Sequence, residues 1–226
     1  MVHQKHFGLV SAIICIAALA LLLPYAPSYL KYAEKPSACD CIVLLIGPEN
    51  VSRQERAREI LGKGYTNCLI IPALGKLATG PSSLGLVTGK SEHAQAPLTD
   101  SLCEQWQYRL MENTQLEILL AKKSMDRHSM KSVIFVSSPY HMRRVRIIAD
   151  SVFGHGEYRT AFVPGNHENN EPSAWWILDG HDLWWVSSEY LKIAWFLVYD
   201  GMHLFPDTLV ERLESAFTWR DSDPIC

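Results

Sequence analysis

Within Val133–Arg146 (VIFVSSPYHMRRVR), Ser137, Ser138, His141 and Arg144 fall inside eight residues. Two hydroxyls, an imidazole and a guanidinium can hold an anion and move a proton beside it. His141 and Arg144 are three residues apart, so they share one face if the segment is helical. Local rules supply the setting. Val133-Ile134-Phe135-Val136 favours a strand, Ser138 suits an N-cap, and Pro139 suits the first helical position. A strand-to-helix junction offers unpaired backbone N–H groups and the positive end of a helix dipole, and so favours anions. His141 therefore reads as a base or orienter at a helix start, where its neutral form is favoured. Ser137, Ser138 and Arg144 read as ligand-binding residues.

Other residues join them by position. Gly47 ends the apolar run Cys41–Ile46, and Arg53 follows shortly after as a second anion clamp. Thr114 and Glu117 have capping-box spacing, which makes Thr114 a helix cap first and a ligand contact second. Glu189 and Lys192 are spaced for an intrahelical salt bridge. No metal or cofactor is expected. Cys39-x-Cys41 lacks a matching second pair, and no Walker loop, Gly-x-Ser-x-Gly or Gly-x-Gly-x-x-Gly is present.

The elements that must position these residues alternate. Cys41–Ile46 and Cys68–Ile71 are continuous apolar runs closed by Gly47-Pro48 and Pro72, the pattern of buried parallel strands. Between them, residues 52–63 form an amphipathic helix. Residues 72–100 are rich in Gly, Pro, Ser and Thr without periodicity, and read as a lid or mobile loop. A helix starts at Thr114, the Val133 strand and its helix run to Val152, and Arg159–Pro164 gives another strand. Asp182–Tyr199 is a strongly aromatic helix, with Trp184 and Trp185 assigned to the core. This alternation predicts an α/β fold with a mostly parallel sheet covered on both faces. Ligands of such sheets sit beyond the carboxyl ends of the strands. That rule brings together the ends at Gly47, Pro72 and Ser137-Ser138.

The chain has 226 residues, 48% of them apolar, and a formal charge of −3. One sizeable core is expected and no nucleic-acid partner. Phe7–Leu23 is an uncharged run of seventeen residues, about 25 Å as a helix. An anchor, a cleaved signal and a buried core helix compete for it. The run has no polar face, and Leu22-Leu23-Pro24 is a poor cleavage site, which favours the anchor. Lys5 before the run places the N-terminus in the cytoplasm and the remaining chain outside it. The expected organisation is a cytoplasmic N-terminus (1–6), a transmembrane helix (7–27), a linker (28–39), an α/β domain (40–199) and a C-terminal tail (200–226). Cys41 and Cys68 open neighbouring strands, as a disulfide or as two buried thiols.

Several of these segments resemble the YdcF/SanA/ElyC-type family of bacterial envelope proteins. They are Asp40–Gly47, Arg53-x-x-x-Ala57, Glu112-Asn113-Thr114, Ser138-Pro-Tyr-His-Met-Arg-Arg144 and a closing helix with Glu189-x-x-Lys192. The resemblance implies a Rossmann-like three-layer sandwich, often behind an N-terminal membrane anchor. It also implies a role in envelope integrity or in peptidoglycan and lipid-carrier metabolism, and draws Gly47, Glu189 and Lys192 into the site. The implied ligand is an anionic, phosphate-containing small molecule or lipid-linked precursor, and the implied place is the extracytoplasmic side of the plasma membrane. Pro48 stands where the family has a second Gly, and Pro72-Ala73-Leu74-Gly75 keeps one Gly of the second loop. Those departures set a non-catalytic sensing or scaffolding module beside the enzyme reading.

Overall fold

Four apolar runs, each bounded by a polar or turn-forming residue, become the parallel strands of one sheet. A computed structural model describes residues 22–47, 50–80, 113–154, 156–166, 175–201 and 220–221. The strands are β1 (Cys41–Leu44), β2 (Cys68–Ile71), β3 (Lys76–Thr79), β4 (Ser132–Ser137), β5 (Arg159–Pro164) and the two-residue β6 (Arg220–Asp221). Their order is β5-β4-β1-β2-β3-β6. β1 pairs in parallel with both β2 and β4, and β4 pairs in parallel with β5. The helices are α1 (Ala26–Leu30), α2 (Asn50–Gly62), α3 (Asn113–Arg127), α4 (Met142–Phe153) and α5 (Gly180–Gly201).

Period-two alternation sorts the strand side chains into two cores. Ile42, Leu44, Leu69, Ile71, Ile134 and Val136 meet Ala57 and Ile60 of α2 on one face. Cys41, Val43, Ile70, Val133 and Phe135 meet Ile118 of α3 and Val145 and Ile148 of α4 on the other. The chain is therefore α/β with helices on both faces. Asp40 ties the starts of β1 and β4 together: its carboxylate accepts from Lys131 N, Ser132 N and Ser132 Oγ, each at 2.8 Å. Those donors hold the Asp40 carboxyl below its ordinary range.

The loop expected over 72–100 begins differently. A 3-10 turn, Pro72–Leu74, closes at Gly75, whose φ of 57° is the left-handed turn glycine tolerates. The chain then reverses into β3, antiparallel to β2. Residues 81–100 lie outside the described residues, as do Glu112, Cys103 and residues 202–219 of the tail. Cys39, Cys41 and Cys68 are free thiols. Burial pushes Cys68 up to about 12 and Cys41 higher still, so both are inert core groups. Trp184, assigned to the core from sequence, is exposed instead, while Trp185 packs on Tyr140 with ring centroids 4.9 Å apart.

Of the expected membrane helix, residues 7–21 lie outside the described residues. Residues 22–27 fall in a 3-10 turn (Leu23–Tyr25) and the start of α1. No helix among the described residues is long and apolar enough to cross a membrane. The stretch read as a linker lies along the domain. Glu34 N donates to Phe162 O (2.7 Å) and its Oε2 accepts from Phe162 N (3.2 Å). That satisfies the outward N–H and C=O of Phe162 on edge strand β5 and blunts the edge there against further pairing. Arg143 Nε donates to Tyr29 O at 2.8 Å and its guanidinium lies over the Tyr29 and Tyr32 rings.

Candidate functional site

In the strand order, β1 lies between β2 and β4, so the crossovers leave β1 in opposite directions and a crevice opens beyond the ends of β1 and β4. β4 ends at Ser137, and Ser138 turns the chain with φ −69° and ψ 150° into the 3-10 turn Pro139–His141, which runs on into α4. The backbone thus follows the cap-then-proline pattern, with His141 N donating to Ser138 O at 3.1 Å. The Ser138 hydroxyl makes no capping bond. It accepts instead from Arg53 Nε at 2.9 Å.

Arg53 comes from the first turns of α2 and is only 3% exposed. Its Nη1 donates to Leu45 O at 2.8 Å, so one guanidinium bridges the end of β1 and the end of β4. Gly47 makes room for it: a Cβ there would lie 2.9 Å from Arg53 Nη1. Gly47→Ala is therefore expected to push Arg53 off Leu45 O or Ser138 Oγ, at a cost of about 1–3 kcal/mol in chemical denaturation. In an Arg53→Gln background the same substitution should cost measurably less, because the two positions share a contact.

A second cluster joins α3, α4 and α5. Arg144 donates through Nε to Glu189 Oε2 (2.8 Å) and through Nη1 to Thr114 Oγ1 (2.5 Å). Glu189 is fully buried, and its Oε1 also meets Lys192 Nζ at 2.7 Å and His141 Nδ1 at 3.1 Å. Burial alone would raise the Glu189 carboxyl, but His141, Arg144 and Lys192 outweigh it and hold the group well below the usual carboxylate range. Burial moves His141 the other way, below the ordinary imidazole value, so the ring is neutral at pH 7. A carboxylate can only accept, which assigns the proton to Nδ1 and leaves Nε2 as the basic nitrogen. Arg144 Nη2, 3.2 Å from Nδ1, packs beside that bond.

Thr114 is not the cap. α3 starts at Asn113, which puts Thr114 inside its first turn, where Arg144 engages the hydroxyl. One turn on, Glu117 is a site residue that the sequence suggests only as a capping partner. Burial raises its carboxyl to about 8 against the pull of Arg53 and Arg144, so it is protonated at neutral pH. Ser137 is buried at the strand end, where its carbonyl accepts from Gly165 N at 2.9 Å. Gly165 stands in no motif that the sequence displays. A Cβ on it would lie 3.0 Å from Ser52 Oγ, so it permits β5 to approach the start of α2.

The structure thus gathers Gly47, Arg53, Thr114, Ser138, His141, Arg144, Glu189 and Lys192, with Ser137 beneath them. The third strand end, at Pro72, supplies a turn against α3 and none of these polar contacts. Among the described residues the site holds three cations, Arg53, Arg144 and Lys192, against one ionised carboxylate. Asp179, His181 and Asp182 also lie close enough to share a cation. There the Asp179 carboxylate accepts from His181 N and Asp182 N (2.9 and 3.0 Å), the ordinary cap of α5. No protein-family model, curated protein or solved structure matches this chain.

Proposed function

We propose that this site binds an anionic, phosphate-bearing molecule. The observation that carries the reading is the positive charge at the ends of β1 and β4: among the described residues three cations stand with one ionised carboxylate, and the second carboxyl, Glu117, is neutral at pH 7. A largely buried surplus of this kind is costly without a counter-ion, and a phosphate supplies one. Arg144 and Lys192 clamp the anion, Arg53 and Ser138 shape its cradle, and His141 accepts or orients a proton through Nε2. With the resemblance to the YdcF/SanA/ElyC family, the ligand becomes a cell-envelope or lipid-linked cell-wall precursor. The fold becomes Rossmann-like, and the apolar run that precedes residue 22 becomes an anchor holding the domain outside the plasma membrane.

One observation favours binding without covalent catalysis. His141 is bonded to Glu189 and Ser138 to Arg53, so the two are not joined as base and nucleophile. A sensing or scaffolding role in envelope assembly uses the same anion site. Titration calorimetry with inorganic pyrophosphate tests the binding step. Lys192→Gln, at a partly exposed position, is expected to weaken binding about tenfold, roughly 1.4 kcal/mol, with the circular dichroism spectrum unchanged. Unaltered affinity in a folded Lys192→Gln and a folded Arg144→Lys would reject the site.

A further inference from the structure

α5 is apolar on both sides. Its inner side places Val186, Glu189, Ile193 and Phe196 in the protein, yet its outer side is apolar too. Trp184 is 76% exposed, Leu191 60%, Leu197 55% and Val198 59%. Between Leu183 and Val198 the only charged side chains are Glu189 and Lys192, and both serve the site. Leu178, in the turn that leads into α5, is 81% exposed. An uncharged outer face of some sixteen residues spans about 24 Å, far more than a scatter of single surface apolar groups.

The chain itself indicates what covers this face. The uncharged run Phe7–Leu23 ends beside it, where Trp176 Nε1 donates to Leu23 O at 2.8 Å, Tyr190 Oη donates to Ala26 O at 2.9 Å, and Tyr29 stacks on Tyr190. Tyr25, at that junction, is itself 69% exposed. Tyr and Trp beside an apolar run form the belt found at lipid headgroup level.

We propose that the outer face of α5, with Leu178 and Tyr25, lies on the bilayer surface, its apolar side chains reaching about 5–10 Å into the headgroup boundary. The inference rests on the anchor reading above. Because Glu189 projects from the opposite side of the same helix, with Lys192 on its flank, it sets the anion site about one helix diameter, 10–12 Å, behind the lipid contact. A phosphate whose tail stays in the bilayer is then within reach, which names lipid-linked phosphates as the substrate class.

The full chain reconstituted into phosphatidylcholine vesicles brominated near the headgroup end of the acyl chains provides the test. Bromine should quench the tryptophan emission, and Trp184→Phe should remove at least a third of that quenching. Leu191→Glu should lower it further, while pyrophosphate affinity in detergent stays the same. Equal proportional quenching in the native chain and Trp184→Phe would overturn the proposal. So would shielding of Trp184 from both bromolipid and aqueous acrylamide, which would mean that the chain's own N-terminal run covers the face. A disulfide-linked dimer formed by Leu191→Cys in vesicles would overturn it in favour of a second copy. An alkaline wash separates the two readings. Retention in the vesicles without Trp184 quenching keeps the anchor and rejects the α5 contact, whereas quenching followed by release keeps the contact and rejects the anchor.

Discussion

Glu189→Ala is expected to destabilise the folded chain by about 3–5 kcal/mol, the range for removing one partner of a buried ion pair. Glu189 is fully buried and serves Arg144, Lys192 and His141 at 2.8, 2.7 and 3.1 Å. Without it, Arg144 keeps Thr114 and His141 as hydrogen-bond neighbours among the described residues, with Glu117 nearby but neutral, for a guanidinium that solvent barely reaches. Lys192 is half-exposed and can turn to water, so the penalty falls chiefly on Arg144. The Glu189→Ala/Arg144→Met pair should therefore recover much of the loss, since removing both charges leaves no unpaired ion. Urea denaturation measures both variants. A Glu189→Ala chain within about 1 kcal/mol of the native chain would show that water already solvates the cluster. The same substitution removes the group that orients His141, so any proton transfer through Nε2 should be lost with it.

The parts of this fold visible in the sequence are those that a few adjacent residues decide. The β2 strand matches its apolar run at both ends, because four consecutive buried side chains have no other use at that length, and β5 keeps its expected bounds although only Phe162 and Val163 are buried in it. β3 has no such signal. Its sequence, Lys-Leu-Ala-Thr, buries only Ala78, and the strand exists because it pairs with β2 across the Gly75 turn. The Ser138 junction is legible in its backbone and not in its side chain. Arg53, 85 residues earlier, takes the hydroxyl that local rules give to the helix. Periodicity also fails on α5, since a helix apolar all round does not reveal which side faces the core, and Trp184 is exposed where its apolar neighbours suggest burial. Glu117 shows the limit most directly. Its spacing from Thr114 suggests a cap, while its protonation depends on burial and on guanidiniums from α2 and α4.

That protonation gives the chain a pH dependence of known sign. Unfolded, Glu117 releases its proton near its ordinary value of 4.5, whereas the native chain holds it until about 8. Between those values the native state binds more protons, so this group's contribution to stability falls as pH rises from 4.5 to 8 and is constant above. Each tenfold difference in proton affinity between the native and unfolded chains is worth about 1.4 kcal/mol. Solvent at the half-buried Glu117 reduces the total to about 2 kcal/mol over the window. Glu117→Gln mimics the neutral carboxyl and removes the dependence. The stability of the native chain relative to the variant should therefore decline by about that amount between pH 5 and 8. His141 acts on the acid side: its lowered value means stability is lost as pH falls below the ordinary 6.5, and comparison with Glu117→Gln cancels it. Anion binding should follow the same proton. Above pH 8 an ionised Glu117 offsets one of the three cations, so sulfate, whose own charge is constant in this range, should bind more weakly at pH 9 than at pH 7. By reciprocity, sulfate binding near pH 8 should take up protons, seen as a calorimetric enthalpy that changes with the ionisation enthalpy of the buffer. In Glu117→Gln both effects should vanish. A native chain whose sulfate affinity is level from pH 7 to 9 would mean that Glu117 is already ionised at neutral pH, leaving three cations facing two carboxylates and a much weaker attraction for anions.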